Sequence, residues 1–187
     1  MAKTFFANLA IGAFPPAAQD HATVAIEALS PFVSDGYRLG STEPAWIGGV
    51  AVQIPARIHF NEPPLTAPIP DRTVQLAIDC LISRSTDGYL RHAALRHILC
   101  ATQPWALPFI LVPAGEYVVE IIADLVAALP DLDRSIYADF VRENRPLLRL
   151  LRSRANSYWN CYYRRDYWDK SRYPALVFLR EIESWAA

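Results

Sequence analysis

The sequence predicts a mainly α-helical protein of stacked helix pairs, preceded by a proline-rich arm. Three observations carry this reading. Nine of the fifteen prolines fall in the first seventy residues, and a proline inside a helix removes a hydrogen bond and clashes with the turn before it. From Asp71 onward, apolar residues recur at helical spacing between capping residues. A helical pattern also occurs twice: residues 84–99 read RSTDGYLRHAALRHIL and residues 112–127 read VPAGEYVVEIIADLVA. At an offset of 28 residues, Tyr89 falls on Tyr117, Leu90 on Val118, Ala94 on Ile122 and Leu95 on Ala123.

The arm spans residues 1–70 and is expected to be extended, with room for a short helix over Ala22–Leu29. Gly48-Gly49 precedes VAVQIPARIHF, where Val50, Val52, Ile54, Ala56, Ile58 and Phe60 alternate with other residues. That period of two predicts a strand or half a hairpin, and Pro55 makes it an edge or bulged strand. NEPPLTAPIP, residues 61–70, reads as a stiff linker.

Residues 71–187 form the helical part. Val74, Ala77, Ile78, Leu81 and Ile82 set a first helix over Thr73–Ser83. Ser85-Thr86-Asp87 caps a second, ending near Cys100. Pro104 opens a short third helix through Val112. Pro113 and Gly115 precede a fourth, which Pro130-Asp131 ends. Asp133 or Ser135 begins a fifth to about Glu143. Asn144-Arg145-Pro146 introduces a long sixth helix from Leu147 to about Arg165, and Tyr173-Pro174 opens a last one through Trp185.

The stretch DGYLRHAALRHIL resembles the second helix of a HEAT-type repeat, with Leu90-Arg91 followed by Ala93, Ala94 and Leu95. VQLAIDCLIS sits where the first helix of such a repeat belongs. The second copy departs from the pattern, carrying Val119 in place of Arg91. The resemblance covers roughly residues 72–129. It implies an α-solenoid-like bundle and a structural role for Arg91, bracing adjacent repeats. Repeats of this kind stack because one helix pair cannot bury its own apolar face.

Hydrophobic content of 52% and a mean hydropathy of +0.10 suit a packed core and argue against general disorder. No apolar run approaches the roughly 18 residues of a membrane span. The N-terminus, MAKTFFANLAIGAFPPAAQ, faintly resembles a signal peptide, but it has one lysine and no small-x-small cleavage site. Cys80, Cys100 and Cys161 are odd in number, with no metal-ligand spacing. Reduced core thiols and a cytoplasmic location are therefore expected.

The net charge of −1 hides an asymmetry. Residues 1–141 carry eight Lys/Arg and fourteen Asp/Glu; residues 142–172 carry nine Lys/Arg against Glu143, Asp166 and Asp169. The two parts attract each other within the fold, or the basic part faces an anionic partner.

The chemical outlier is RSRANSYWNCYYRRDYWDKSR, residues 152–172, where arginines interleave with tyrosines and tryptophans. This composition suits a protein-binding hot spot or a grip on phosphates and bases, and equally a core helix with inward aromatics. On a helical wheel Leu147, Leu151, Ala155, Tyr158 and Tyr162 share one side, and Arg149, Arg152, Asn156, Asn160 and Tyr163 the other. Arg154 falls in the apolar arc and needs a carboxylate or an exit to solvent. Glu116, Glu120 and Asp124 step by four and form an acidic stripe expected to face the basic long helix. That makes Glu116, Glu120 and Arg154 a candidate buried ion-pair cluster. His92 and His97 fall on different helix faces, so no shared metal is expected. No phosphate loop, nucleophile elbow or zinc signature appears.

The expected role is a non-catalytic protein-interaction module without cofactor or metal. Its binding face would combine Arg149, Arg152, Asn156, Asn160, Arg164, Arg165, Tyr167 and Trp168. The partner would be another protein and not a membrane. Two alternatives stay open: a nucleic-acid-binding protein using residues 142–172, and a small hydrolytic or metal-dependent enzyme using Glu116, Glu120 and Arg154.

Overall fold

The computed structural model describes residues 2–34, 41–62 and 69–187, with side chains from Phe5 onward. Among them the protein is mainly helical, with one two-stranded antiparallel sheet. The elements are α1 (Ala2–Ile11), α2 (Gln19–Leu29), β1 (Thr42–Ile47), β2 (Val50–Pro55), α3 (Arg72–Ile82), α4 (Gly88–Ile98), α5 (Leu107–Leu111), α6 (Val119–Ala128), α7 (Arg134–Glu143), α8 (Arg145–Tyr158) and α9 (Pro174–Trp185). Pro63, Pro64 and Pro68 of the expected linker lie outside the described residues, as does the side chain of Lys3.

The N-terminal part differs from an extended arm. It carries α1 and α2, of ten and eleven residues. Phe6, Ala10, Phe14, Ala22, Ala25 and Leu29 join the same buried cluster as the later helices. The reason is where the prolines stand. Pro15, Pro16 and Pro31 sit between or just beyond the helices, so they interrupt no helical hydrogen bond. The helix expected over Ala22–Leu29 is present as the longer α2, and α1 occupies a second proline-free window that the density of prolines around it concealed. Phe14 packs at a tilt on Trp105 and Phe109, each at 5.4 Å between ring centroids.

The hairpin follows the sequence closely. Gly48 and Gly49 turn with φ of +57° and +81°, the left-handed pair that a tight two-residue hairpin turn requires. Val52 and Ile54 are buried, and the ladder ends where Pro55 faces Thr42. Beyond Pro55 the chain pairs elsewhere: the Ile58 amide donates to the Arg84 carbonyl (2.7 Å), and the Thr86 amide to the Ile58 carbonyl (2.8 Å). Glu143 accepts from both turn amides. The buried Asn144 side chain exchanges two hydrogen bonds with the Trp46 backbone, at 2.7 and 2.8 Å, and so acts as a strand partner for β1.

Asp71, Asp87 and Asp133 each accept two backbone amides at the starts of α3, α4 and α7. Caps of this kind contribute about 1 kcal/mol each. The doubled pattern does not superpose the helices it suggested. Tyr89 lies in the first turn of α4, whereas Tyr117 precedes α6 in a non-helical segment. Ala94 and Ile122 are both buried, but Leu95 is buried while Ala123 is exposed. The helix starts are offset by nearly one turn more than the sequence match, so only some positions correspond.

Helices α1 to α4 pack in sequence, each on the next, and α4 also touches α6. In the remainder α9 packs on α6, α7 and α8. Its Ala175, Phe178, Leu179 and Ile182 are fully buried. This places α8 at the outside with one flank against α9 and one flank open.

Candidate functional site

Helix α8 begins at a proline in its first turn, which suits the fixed proline φ. Leu147, Leu148, Leu151 and Ala155 form its buried side. The segment of residues 144–165 contains no Asp or Glu and carries Arg145, Arg149, Arg152, Arg154, Arg164 and Arg165. At 100° per residue, Arg145, Arg149, Arg152, Asn156 and Asn160 fall in one stripe.

The helix ends in a π-helical turn, Trp159–Tyr163. A wider turn adds a residue and rotates the side chains that follow. The inward role therefore passes from Tyr162 to Tyr163. Tyr163 packs on Tyr173 with ring centroids at 5.4 Å and donates its hydroxyl to the Tyr117 carbonyl, while Tyr162 turns outward and is 67% exposed. This corrects the helical wheel, which had Tyr162 inward and Tyr163 outward. Burial, chiefly, raises the Tyr163 and Tyr173 hydroxyls above the ordinary tyrosine range.

The loop after this turn is held from inside. The Trp159 indole N–H donates to the Tyr167 carbonyl at 2.7 Å. Arg164 and Lys170 lie over the Trp159 ring at 5.6 and 5.5 Å, within cation–π range. Asp169 caps the short turn that leads to α9 by accepting from Ser171. The result is an ordered loop with Trp168 80% exposed at its tip.

Of the face expected from the sequence, Arg149, Asn160, Arg164, Arg165 and Trp168 are exposed. Arg152 is half-buried and paired with Glu183 of α9. Asn156 is half-buried, and Tyr167 packs inward on Tyr173 at 5.6 Å. Arg154 pairs with the buried Glu43 of β1 at 2.6 Å. The expected set Glu116, Glu120 and Arg154 is therefore not brought together. Glu120 is exposed and Asp124 binds α4, receiving His92 at 2.8 Å and Arg96 at 2.6 Å. Asp124 thus faces α4 rather than the basic helix, and no single stripe forms, because the chain is still extended at Glu116 and only Glu120 and Asp124 belong to α6.

Glu116 instead sits in a buried cluster of three arginines. Arg57 contacts both carboxylate oxygens, donating to Oε1 at 2.9 Å and approaching Oε2 as an ion pair at 2.8 Å. Arg84, 1% exposed, reaches Oε1 at 2.9 Å, and Arg91 Nε approaches Oε2 at 3.3 Å. The contacts on Oε2 are ion pairs at angles outside hydrogen-bond geometry, and Arg84 Nη1 has no acceptor among the described residues. The surplus positive charge is offset by carbonyl dipoles. Arg84 donates to Pro55 and Ala56, Arg57 to Ala56, and Arg91 to Ser85 and Thr86. Burial raises the Glu116 carboxyl, but Arg84, Arg57 and Arg91 outweigh it and hold it below the ordinary glutamate range. Burial lowers the Arg84 guanidinium. A carboxylate so gripped is a poor proton donor or acceptor at neutral pH. The cluster ties β2, the α3–α4 junction and the entry to α6 together.

Gly115 sets the same loop against α8: a Cβ there would lie 2.7 Å from Leu151 Cδ2. Cys80 is buried, and burial raises its thiol well above the ordinary range. Cys100 and Cys161 are exposed rather than in the core. Among the described residues no group of three His, Cys, Asp or Glu side chains is disposed to hold a metal, and no helix is long and apolar enough to cross a membrane.

The sequence signals missed Arg145, which is exposed on the stripe, and the partners Arg57, Arg84 and Glu43. Arg84 follows directly on the buried end of α3, and that position was the available clue.

Fold and site define the class: a helical protein with a small hairpin and one basic, aromatic outer face. No family profile, curated protein or solved structure matches this chain.

Proposed function

We propose that this protein is a non-catalytic interaction module of HEAT-like helix pairs that engages another protein through the outer face of α8 and the loop after it. The successive packing of α1 to α4 supports the helix-pair reading. One observation carries the binding face. Tyr162 on the π-helical turn and Trp168 on the loop after it present their rings to solvent near in sequence to the exposed Arg164 and Arg165, and the loop is already held from within. Exposed tryptophan, tyrosine and arginine on a pre-ordered surface are the residues that dominate interface energetics. Little ordering entropy would be lost on binding.

The test is a photo-crosslinking amino acid placed at Trp168, with Tyr89 on α4 as the exposed control. A protein crosslinked from Trp168 and not from Tyr89 is identified, purified and titrated. Trp168→Ala and Arg165→Glu are each expected to weaken its binding at least about tenfold, or about 1.4 kcal/mol. Unchanged affinity in both variants removes this face. Stacking aromatics beside arginine also suit single-stranded nucleic acid. A gel shift with a steep salt dependence, in the absence of any protein crosslink, would replace the proposal with that reading.

A further inference from the structure

Beside the aromatic loop, the other end of α8 borders a cleft of about 340 Å³ between α7, α8 and α9. Its floor comes from the buried Val141, Leu148 and Ala186, and Ala187 borders it. Its charged lining is Arg145, Arg149 and Glu183. Glu183 is already neutralised by Arg152. Arg145 and Arg149 have no carboxylate partner among the described residues, although eight other arginines of the chain make ion pairs. The cleft therefore presents two guanidinium groups that make no ion pair among the described residues, one helical turn apart, beside the Arg152–Glu183 pair and over an apolar floor.

Resting on the interaction-module reading, we infer that this cleft receives an acidic, amphipathic peptide segment of the partner. Carboxylates pair with Arg145 and Arg149 while one aliphatic side chain enters over Leu148 and Val141. Charge complementarity selects this occupant. A basic or neutral segment would leave both arginines unpaired, and a purely acidic one would leave the apolar lining uncovered. Arg–carboxylate pairs at the rim of an apolar cleft gain from partial desolvation and are geometrically specific.

The experiment uses the full chain and a fluorescein-labelled Glu-Glu-Leu repeat peptide, followed by anisotropy. Comparison peptides are the Gln-Gln-Leu repeat and polyglutamate. The Glu-Glu-Leu repeat is expected to bind, with both comparison peptides at least about tenfold weaker. The double variant Arg145→Glu/Arg149→Glu is expected to bind at least about tenfold more weakly, a loss of about 1.4 kcal/mol. Arg72→Glu, an exposed charge reversal on α3, should stay within about twofold of the parent. All three arginines are exposed, so unchanged thermal melts check that folding is intact. Equal binding of the Gln-Gln-Leu repeat, or full binding by the Arg145/Arg149 variant, overturns the cleft. If Arg72→Glu loses as much binding as the Arg145/Arg149 variant, general charge attraction is the cause and the cleft fails. If no peptide binds but the Trp168 crosslink succeeds, the cleft fails and the proposed function survives. If both fail, both are overturned.

Discussion

Two sets of arginines in this protein meet opposite fates. Arg57, Arg84 and Arg91 converge on one buried carboxylate and on the carbonyls around it. Arg145, Arg149, Arg164 and Arg165 line an exposed helix and loop and make no ion pair among the described residues. The first set is arranged so that removing Glu116 leaves the buried Arg84 and Arg91 without the carboxylate they share. The second set is already in water and loses nothing by waiting for a partner. Arginine is suited to both, since its guanidinium is always charged and offers a planar fork of donors. What separates the two sets is the company each keeps in space.

The strongest break in that contrast is Glu116→Ala. Removing one side of a buried charge cluster costs about 3–5 kcal/mol. Denaturant unfolding should show this, with a drop in Tm on the order of 10 °C. A change below about 1 kcal/mol would mean that the carbonyls alone satisfy the arginines.

Gly115→Ala tests the loop that delivers Glu116, because its Cβ would meet Leu151. Overpacking of this kind costs about 1–3 kcal/mol, read by the same melts. Gly115→Ser should be at least as damaging.

Acid sharpens the comparison further. The folded Glu116 carboxyl lies below its ordinary value, so its stabilisation is full above about pH 4.3. It is lost as pH falls through the lowered folded value. The stability gap between the parent and Glu116→Gln should therefore be constant near neutrality and shrink below about pH 4. A gap that does not change with pH would contradict the ion-pair account. Asp79 works in the other direction, since burial raises its carboxyl, and Asp79→Asn should narrow any gain in relative stability on acidification.

The smallest effect belongs to the exposed set. Arg149→Glu and Arg165→Glu should change stability by no more than about 0.5 kcal/mol, measured by urea titration. A larger loss would place them in the fold rather than on its binding surface.

Much of the local structure was legible in the residues themselves. Asp71, Asp87 and Asp133 announce helix starts because a short carboxylate before an apolar repeat satisfies amides that a helix leaves free. Gly48-Gly49 marks a turn because no side chain tolerates both positive φ values at low cost. The basic outer stripe of α8 was legible from 3.6-residue periodicity alone. The register beyond Trp159 was not, because one π-helical turn shifts every later side chain and leaves no signature in composition.

The partners of charged groups were the least legible of all. Arg154 was correctly seen to need a carboxylate, yet that carboxylate is Glu43, more than a hundred residues away on the hairpin. Glu116 was read with Glu120 and Asp124 because they share a spacing, and the extended chain at Glu116 breaks that spacing.

Sequence by itself determined most of the helices from α3 onward, the aspartates that start them and which of their faces are oily, since these depend on neighbours within a few residues; α1 and the π-turn that ends α8 were not legible. The tertiary structure decided which arginine is silenced by a carboxylate and which is left facing water. Ion pairing depends on distances between segments, and those are set only when the hairpin, the α3–α4 junction and α9 have packed.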